Sequence, residues 1–267
     1  MELKSLGSTG VMIPEIGLGV WRYSGGVEPL RHGIELGAFL IDTAEIYGTE
    51  DVVGQVLKDM RERVFLATKV AADHLQYDEV LRAAEASLQR LDTNYLDLYQ
   101  IHWPNWSVPI QETMRAMETL VDRGLVRHIG VSNFSVQQLQ AAQAAMSKYP
   151  IVSNQVLYNL NRREIERELL PYCLLQRITV IAYTPLDDGR LATQSASPQN
   201  WKMHALEQVA AYTRKTLGQV ALNWCTSRPS VIAIPKSNSS TRITENCQAS
   251  GWRLSPEQVR FLDTIFV

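Results

Sequence analysis

The chain has 267 residues, a formal net charge of −2 and 45% hydrophobic residues. That length gives a core large enough to need no disulfide or metal, and the near-neutral charge argues against a nucleic-acid-binding surface. Cys173, Cys225 and Cys247 are odd in number, widely spaced and without zinc spacing, which fits a reduced cytoplasmic protein. No run is long and apolar enough to span a membrane, and Met1-Glu2-Leu3-Lys4 begins no signal-peptide apolar region. A cytoplasmic protein with neither nucleic acid nor membrane as partner is therefore expected.

Lys4-Ser5-Leu6 and Val11-Met12-Ile13 flank Thr9-Gly10 and predict a small hairpin, suited to plug one end of a barrel. Ile16 to Gly19 reads as a first buried strand, with Trp21 beyond its carboxyl end. A helix follows from Val27 to Gly37. The strand Leu40-Ile41 ends on Asp42. Thr49 to Met60 is helical, with Val52, Val53, Val56 and Leu57 on one face. Val64 to Thr68 runs into Lys69, Tyr77 to Leu91 is helical, and Leu96 to Ile101 runs into His102.

The alternation continues with a helix from Ile110 to Arg123 and a strand from Val126 to Val131 that runs into Ser132-Asn133. A helix over Val136 to Met146 precedes a short strand, Val152 to Asn154, before Gln155. Arg163 to Gln176 is helical, kinked or bounded near Pro171. Thr179 to Ala182 is a strand ending at Tyr183, and Pro185 to Asn200 is irregular. Helices over Met203 to Lys215 and Leu217 to Ser227 precede the last strand, Val231 to Ile234, and then Pro235-Lys236-Ser237. Thr241 to Ala249 and Pro256 to Ile265 close the chain as helices.

Eight strands alternating with helices demand parallel pairing with crossover helices. The pattern predicts an α/β fold, an eight-stranded parallel (β/α)8 TIM barrel with an N-terminal hairpin plug and extra helices, as a single domain over residues 1–267. In a barrel all strand carboxyl ends surround one mouth, where active sites of this fold sit. Asp42, Lys69 and His102 end three successive strands. Burying a charge costs several kcal/mol, on the order of the effective penalty per ion. One such residue would pass as a solvated strand end, but three in succession point to a site.

With those residues in order, the chain resembles the aldo-keto reductases. The resemblance is carried by Gly17-Leu18-Gly19-Val20-Trp21, Asp42-Thr43-Ala44 through Tyr47-Gly48, Thr68-Lys69 and Ile101-His102-Trp103-Pro104. It continues in Gly130-Val131-Ser132-Asn133-Phe134, Asn154-Gln155, Ala182-Tyr183-Thr184-Pro185-Leu186, Ile234-Pro235-Lys236-Ser237, Arg242 and Glu245-Asn246. It implies an NADPH-dependent carbonyl reductase acting on aldehydes and ketones, with a catalytic tetrad of Asp42, Tyr47, Lys69 and His102. No metal is expected, and the absence of an obvious extra assembly segment favours a monomer. Reduction puts a hydride on the carbonyl carbon and a proton on its oxygen. Tyr47 would give the proton, Lys69 would lower its pKa from the usual ~10, Asp42 would hold Lys69, and His102 would orient the carbonyl. No side chain supplies a hydride, so a cofactor must.

The resemblance also implies the cofactor contacts. Ser132, Asn133 and Gln155 would bind the carboxamide and Tyr183 would stack on the nicotinamide. Lys236, Ser237 and Arg242 would bind the 2′-phosphate, and Glu245 and Asn246 the adenine. Gly19, Val20, Trp21, Asp42, Thr184, Pro185, Leu186 and Ile234 would complete the cofactor site. Trp21, Tyr47, His102 and Trp103 would face the substrate. Asp187-Asp188 is expected near the pyrophosphate. The short Pro104–Ile110 segment and the lack of a long tail predict an open pocket. Arg61, Glu62 and Arg63 read as a solvated helix end, and Asp97 as facing the helices.

Overall fold

The structure, a computed structural model, describes residues 1–194, 197 and 199–267. Strands β1 (Leu3–Ser5) and β2 (Met12–Pro14) form the predicted hairpin, with Lys4 opposite Ile13. The eight remaining strands are β3 (Leu18–Gly19), β4 (Leu40–Asp42), β5 (Phe65–Val70), β6 (Leu96–Ile101), β7 (Val126–Ser132), β8 (Ile151–Leu157), β9 (Thr179–Tyr183) and β10 (Val231–Ala233). They pair parallel in chain order. A bridge between Ile16 and Ala233 joins the two ends, through Gly17 N donating to Ala233 O at 2.8 Å and Ala233 N to Glu15 O at 2.9 Å. Gly19 lies in this seam, where a Cβ would come within 2.7 Å of Ile234 O. The (β/α)8 barrel expected from the alternation is the fold.

Side chains alternate across a strand, and that period sorts the barrel interior. Leu40, Phe65, Ala67, Leu98, Val152, Ile181 and Ile232 pack with Leu6 and Ile13 of the hairpin into one apolar cluster. The hairpin thus plugs the amino-terminal end. Two residues further along β4, β5 and β6 the same inward rows become polar: Leu40 leads to Asp42, Ala67 to Lys69 and Leu98 to Gln100. The outward rows join a larger apolar cluster, as expected for parallel strands buried on both faces.

The covering helices are α1 (Val27–Glu35), α2 (Glu50–Leu57), α3 (Tyr77–Arg90), α4 (Ile110–Asp122), α5 (Val136–Ala144), α6 (Leu169–Leu175), α7 (Trp201–Thr213), α8 (Leu217–Thr226), α9 (Ser240–Cys247) and α10 (Pro256–Ile265). Ser135 with Gln138, Thr216 with Gln219, and Ser255 with Gln258 form capping boxes that start α5, α8 and α10. Among the described residues, no helix is long and apolar enough to cross a membrane.

The structure differs from expectation at several boundaries. The helix predicted over Arg163 to Gln176 is split into a 3-10 turn (Glu164–Glu166) and α6. The break lies at Glu168, and Pro171 sits in the first turn of α6, where its missing N–H costs nothing. Strand β8 runs on to Leu157, so Gln155 lies inside the strand. Ser195, Ala196 and Pro198, in the irregular segment expected over 185–200, lie outside the described residues. Arg61 is not solvated. Its guanidinium donates to Thr93 Oγ1, Val64 O, Tyr95 O and Asp97 Oδ2, each at 2.9 Å. Asp97 also accepts from Arg127 and from Leu66 N, so this outward-facing carboxylate is buried but fully paired.

Candidate active site

At the carboxyl ends of the strands lies a cleft of about 580 Å³. Every anticipated site residue lines it except Lys69, which is fully buried beneath it. Arg22, Ile46, Ala192 and Gly218 also line it. Nothing in the sequence singled these four out, because each comes from a loop, a short 3-10 segment or a helix start whose position only the closed barrel sets. Trp21 and Trp103 are about half exposed on the cleft wall. Tyr23 is buried elsewhere, and Trp106 points to solvent with 83% of its surface exposed.

The floor is built around one buried ion pair. Lys69 Nζ donates to Asp42 Oδ1 at 2.6 Å, to Thr43 O at 2.8 Å and to Tyr47 Oη at 3.3 Å. Each of the three ammonium protons therefore has an acceptor, which offsets the cost of burying the charge. Asp42 Oδ2 accepts from Gln155 Nε2 at 2.7 Å and from Gln100 Nε2 at 3.2 Å. Gln100 was missed in the sequence. Strand period places it two residues beyond Leu98 on the inward face, but nothing local marks it as a partner of Asp42. The Nε2 of Gln155, read as a carboxamide contact, is engaged with Asp42.

Tyr47 Oη lies 3.3 Å from His102 Nε2, and the Tyr47 ring packs 4.8 Å from Trp21. Asn133 has a left-handed backbone, with φ of 63°. Its Nδ2 donates to His102 O at 3.1 Å, and its Oδ1 accepts from Tyr183 Oη at 3.0 Å. The amide thus links the His102 strand end to the Tyr183 ring across the cleft. Ser132 Oγ donates to Gln155 O at 2.9 Å. At the far end of the cleft lie the exposed Lys236 and Arg242, with Ser237, Glu245 and Asn246. Asp188 lines the cleft, whereas Asp187 turns away to accept from Asn161 Nδ2 at 3.0 Å and to pair with Arg190. Only one of the two acids expected near the pyrophosphate is placed to meet a ligand.

Protonation on the cleft floor follows from burial and the Lys69 ammonium. Burial disfavours the Lys69 ammonium, but Asp42 and then Tyr47 outweigh it, so Lys69 is held above the ordinary lysine value and stays charged. The Tyr47 phenol is raised above its ordinary value, not lowered as expected. Burial dominates, and the opposing pull of Lys69 is partly cancelled by Asp42. Tyr47 is therefore a neutral O–H at neutral pH. Burial, and then Lys69, push His102 down to about 3, so its imidazole is neutral there as well. Burial pushes the thiols of Cys173 and Cys225 up to about 12 and that of Cys247 to about 11, so none offers a reactive thiolate.

His102 gives a testable pH dependence. Its folded value lies below its unfolded value of 6.5, so between pH 6.5 and about 3 the unfolded chain binds the extra proton. Stability should fall as pH drops through that window. Denaturant unfolding of the wild type should weaken more steeply there than that of His102→Gln. Parallel curves for the two proteins would contradict the neutral buried imidazole.

A nicotinamide dinucleotide fits this donor set. The cleft offers an aromatic face at Tyr183, amide and hydroxyl groups at its middle, and a pair of cations at its far end. Among the described residues, no cluster of three or more His, Cys, Asp or Glu is placed to hold a metal.

Comparison with known proteins identifies the family. The model of the Aldo/keto reductase family matches residues 15–266. Methylglyoxal reductase YeaE of Escherichia coli strain K12 is 38% identical, over 100% of this chain and 96% of its own. A crystal structure of a thermostable aldo-keto reductase with the inhibitor epalrestat is 40% identical, covers 99% of this chain and 100% of its own, and superposes with a TM-score of 0.92. An aldo-keto reductase from Klebsiella pneumoniae in complex with NADPH is 36% identical, covers 100% and 96%, and gives 0.90. The chain belongs to the aldo/keto reductase family and is an oxidoreductase.

Proposed function

We propose that the protein reduces small aldehydes and α-oxo carbonyls with NADPH, using Tyr47 as the proton donor. The observation that carries this reading is the buried Asp42–Lys69 pair, whose ammonium reaches Tyr47 Oη at 3.3 Å. Tyr47 Oη and His102 Nε2 lie 3.3 Å apart, so both are available to one carbonyl oxygen. His102 is neutral and cannot act as a cationic acid, which leaves Tyr47 as the group that gives up a proton. As negative charge develops on the substrate oxygen, the Tyr47 proton passes to it. The phenolate left behind faces Lys69, which Asp42 keeps charged. The hydride to the carbonyl carbon would come from a reduced nicotinamide when bound. Ser132, Asn133, Gln155 and Tyr183 would hold its nicotinamide end, and Lys236, Ser237 and Arg242 its 2′-phosphate. A general acid placed in this way contributes about 10²–10⁴-fold.

The substrate wall is apolar and open. Trp21, Ile46 and Trp103 form it, and all three are about half exposed. Few groups are placed to contact the far end of a long substrate, and remote contacts normally help to position the reacting carbon. Methylglyoxal, the substrate named for the E. coli relative, suits such a pocket. The test is a panel of aldehydes, α-oxo aldehydes, ketones and keto sugars with NADPH. Broad reduction of the small members is expected. A single substrate favoured over all others by orders of magnitude in kcat/KM would contradict the open pocket.

A further inference from the structure

We propose that Glu45 is a positioning residue for proton transfer: it anchors the turn that carries Tyr47 to the exit of the strand that carries Lys69. The inference rests on the reading of Tyr47 as the acid. Tyr47 ends a three-residue 3-10 turn, Glu45–Tyr47, bounded by Ala44 and by Gly48 with a left-handed φ of 66°. Such a turn has little internal support. Its own backbone bond is Tyr47 N to Ala44 O at 3.0 Å, and a single hydrogen-bonded turn does not hold itself. Ile46, the central residue, is 56% exposed and packs too little to fix the turn.

The support comes from outside. The base of the loop is tied by the Thr43 and Thr49 hydroxyls at 2.9 Å, and by Lys69 Nζ donating to Thr43 O. The start of the turn itself is held by Glu45. Its Oε1 accepts from Ala71 N, and its two oxygens lie 3.2 and 3.3 Å from His74 Nδ1. Ala71 is two residues beyond Lys69. The contacts therefore close a ring: Glu45 to Ala71, along the chain to Lys69, from Lys69 Nζ to Tyr47 Oη, and back through the turn to Glu45. The Glu45 side chain is only 9% exposed, so water competes weakly for this charge-assisted bond. The Lys69–Tyr47 contact, at 3.3 Å, is already long for a hydrogen bond. Releasing the turn lets the phenol drift out of reach of its cation, and a displacement near 1 Å costs on the order of 10²-fold.

The test uses the full chain and four variants. Glu45→Ala should lower kcat by roughly tenfold or more, with NADPH affinity within about twofold of wild type. Glu45→Gln keeps an oxygen acceptor for Ala71 N and should recover most of the loss. Glu112→Ala removes a similar carboxylate acceptor, Oε1 to Tyr77 N at 2.9 Å, away from the Tyr47 turn, and should leave kcat within about twofold. Tyr47→Phe, run in parallel, checks the underlying reading. Near-normal kcat in Tyr47→Phe overturns the acid assignment and this inference with it. An inactive Tyr47→Phe beside a Glu45→Ala that keeps its kcat overturns the positioning role alone. So does a Glu45→Gln as impaired as Glu45→Ala, or an equal loss in Glu112→Ala.

Discussion

Tyr47→Phe is expected to lower kcat by about 10²–10⁴-fold while leaving NADPH binding nearly intact. The substitution removes one hydroxyl and keeps the ring that packs on Trp21. Lys69 retains two of its three acceptors, Asp42 Oδ1 and Thr43 O, so the buried ion pair is kept and the fold should hold. The lost proton transfer belongs to the transition state, and so the effect falls on kcat rather than on cofactor affinity. No neighbour can take over the role. His102 is neutral down to about pH 3, and Lys69 is locked against Asp42. A variant with near-normal kcat would contradict the assignment.

The second large effect is expected at the far end of the cleft. NADPH and NADH differ only in the 2′-phosphate. Lys236 follows β10, and Arg242 lies in the first turn of α9, both exposed and both on the cleft. Arginine offers a planar fork to phosphate, and the start of α9 adds backbone N–H donors. Charge-assisted bonds contribute roughly 1.5–3 kcal/mol each, so the pair supports a preference for NADPH of about tenfold or more. Asp188 lines the cleft and would weaken both cofactors alike if it meets the pyrophosphate that they share. Titrating both cofactors into the wild type and into a Lys236→Ala, Arg242→Ala double mutant tests this. The mutant should lose most of the ratio. Equal affinities in the wild type, or an unchanged ratio in the mutant, would contradict it.

Much of this arrangement was legible in the residues. The βα alternation and the three ionisable strand ends at Asp42, Lys69 and His102 placed the barrel and its mouth, because strand period and parallel pairing leave few alternatives. What was not legible depends on contacts between distant segments. Gln100 lies in an ordinary strand, and its importance appears only when Asp42 is set beside it by the register of three strands. Arg61 reads as a surface charge until the closed barrel brings Asp97 and Tyr95 to it. The Tyr47 phenol was expected below its usual pKa because Lys69 is near. Burial, which no local pattern reports, turned the balance the other way. The anchor of Glu45 on Ala71 is similarly invisible, since it pairs a side chain with a backbone N–H in another loop.

The central claim is that this cleft transfers a hydride from NADPH to a carbonyl carbon. The most direct measurement uses NADPH carrying deuterium at the transferable position, with methylglyoxal as acceptor, and locates the label in the product by mass spectrometry and NMR. The account predicts deuterium bound to carbon at the newly formed carbinol, one label per NADPH oxidised, with label accumulating about 10²-fold or more slowly in Tyr47→Phe. NADPH oxidation without label on the carbinol carbon, or no oxidation by the wild type with any small aldehyde, would contradict it.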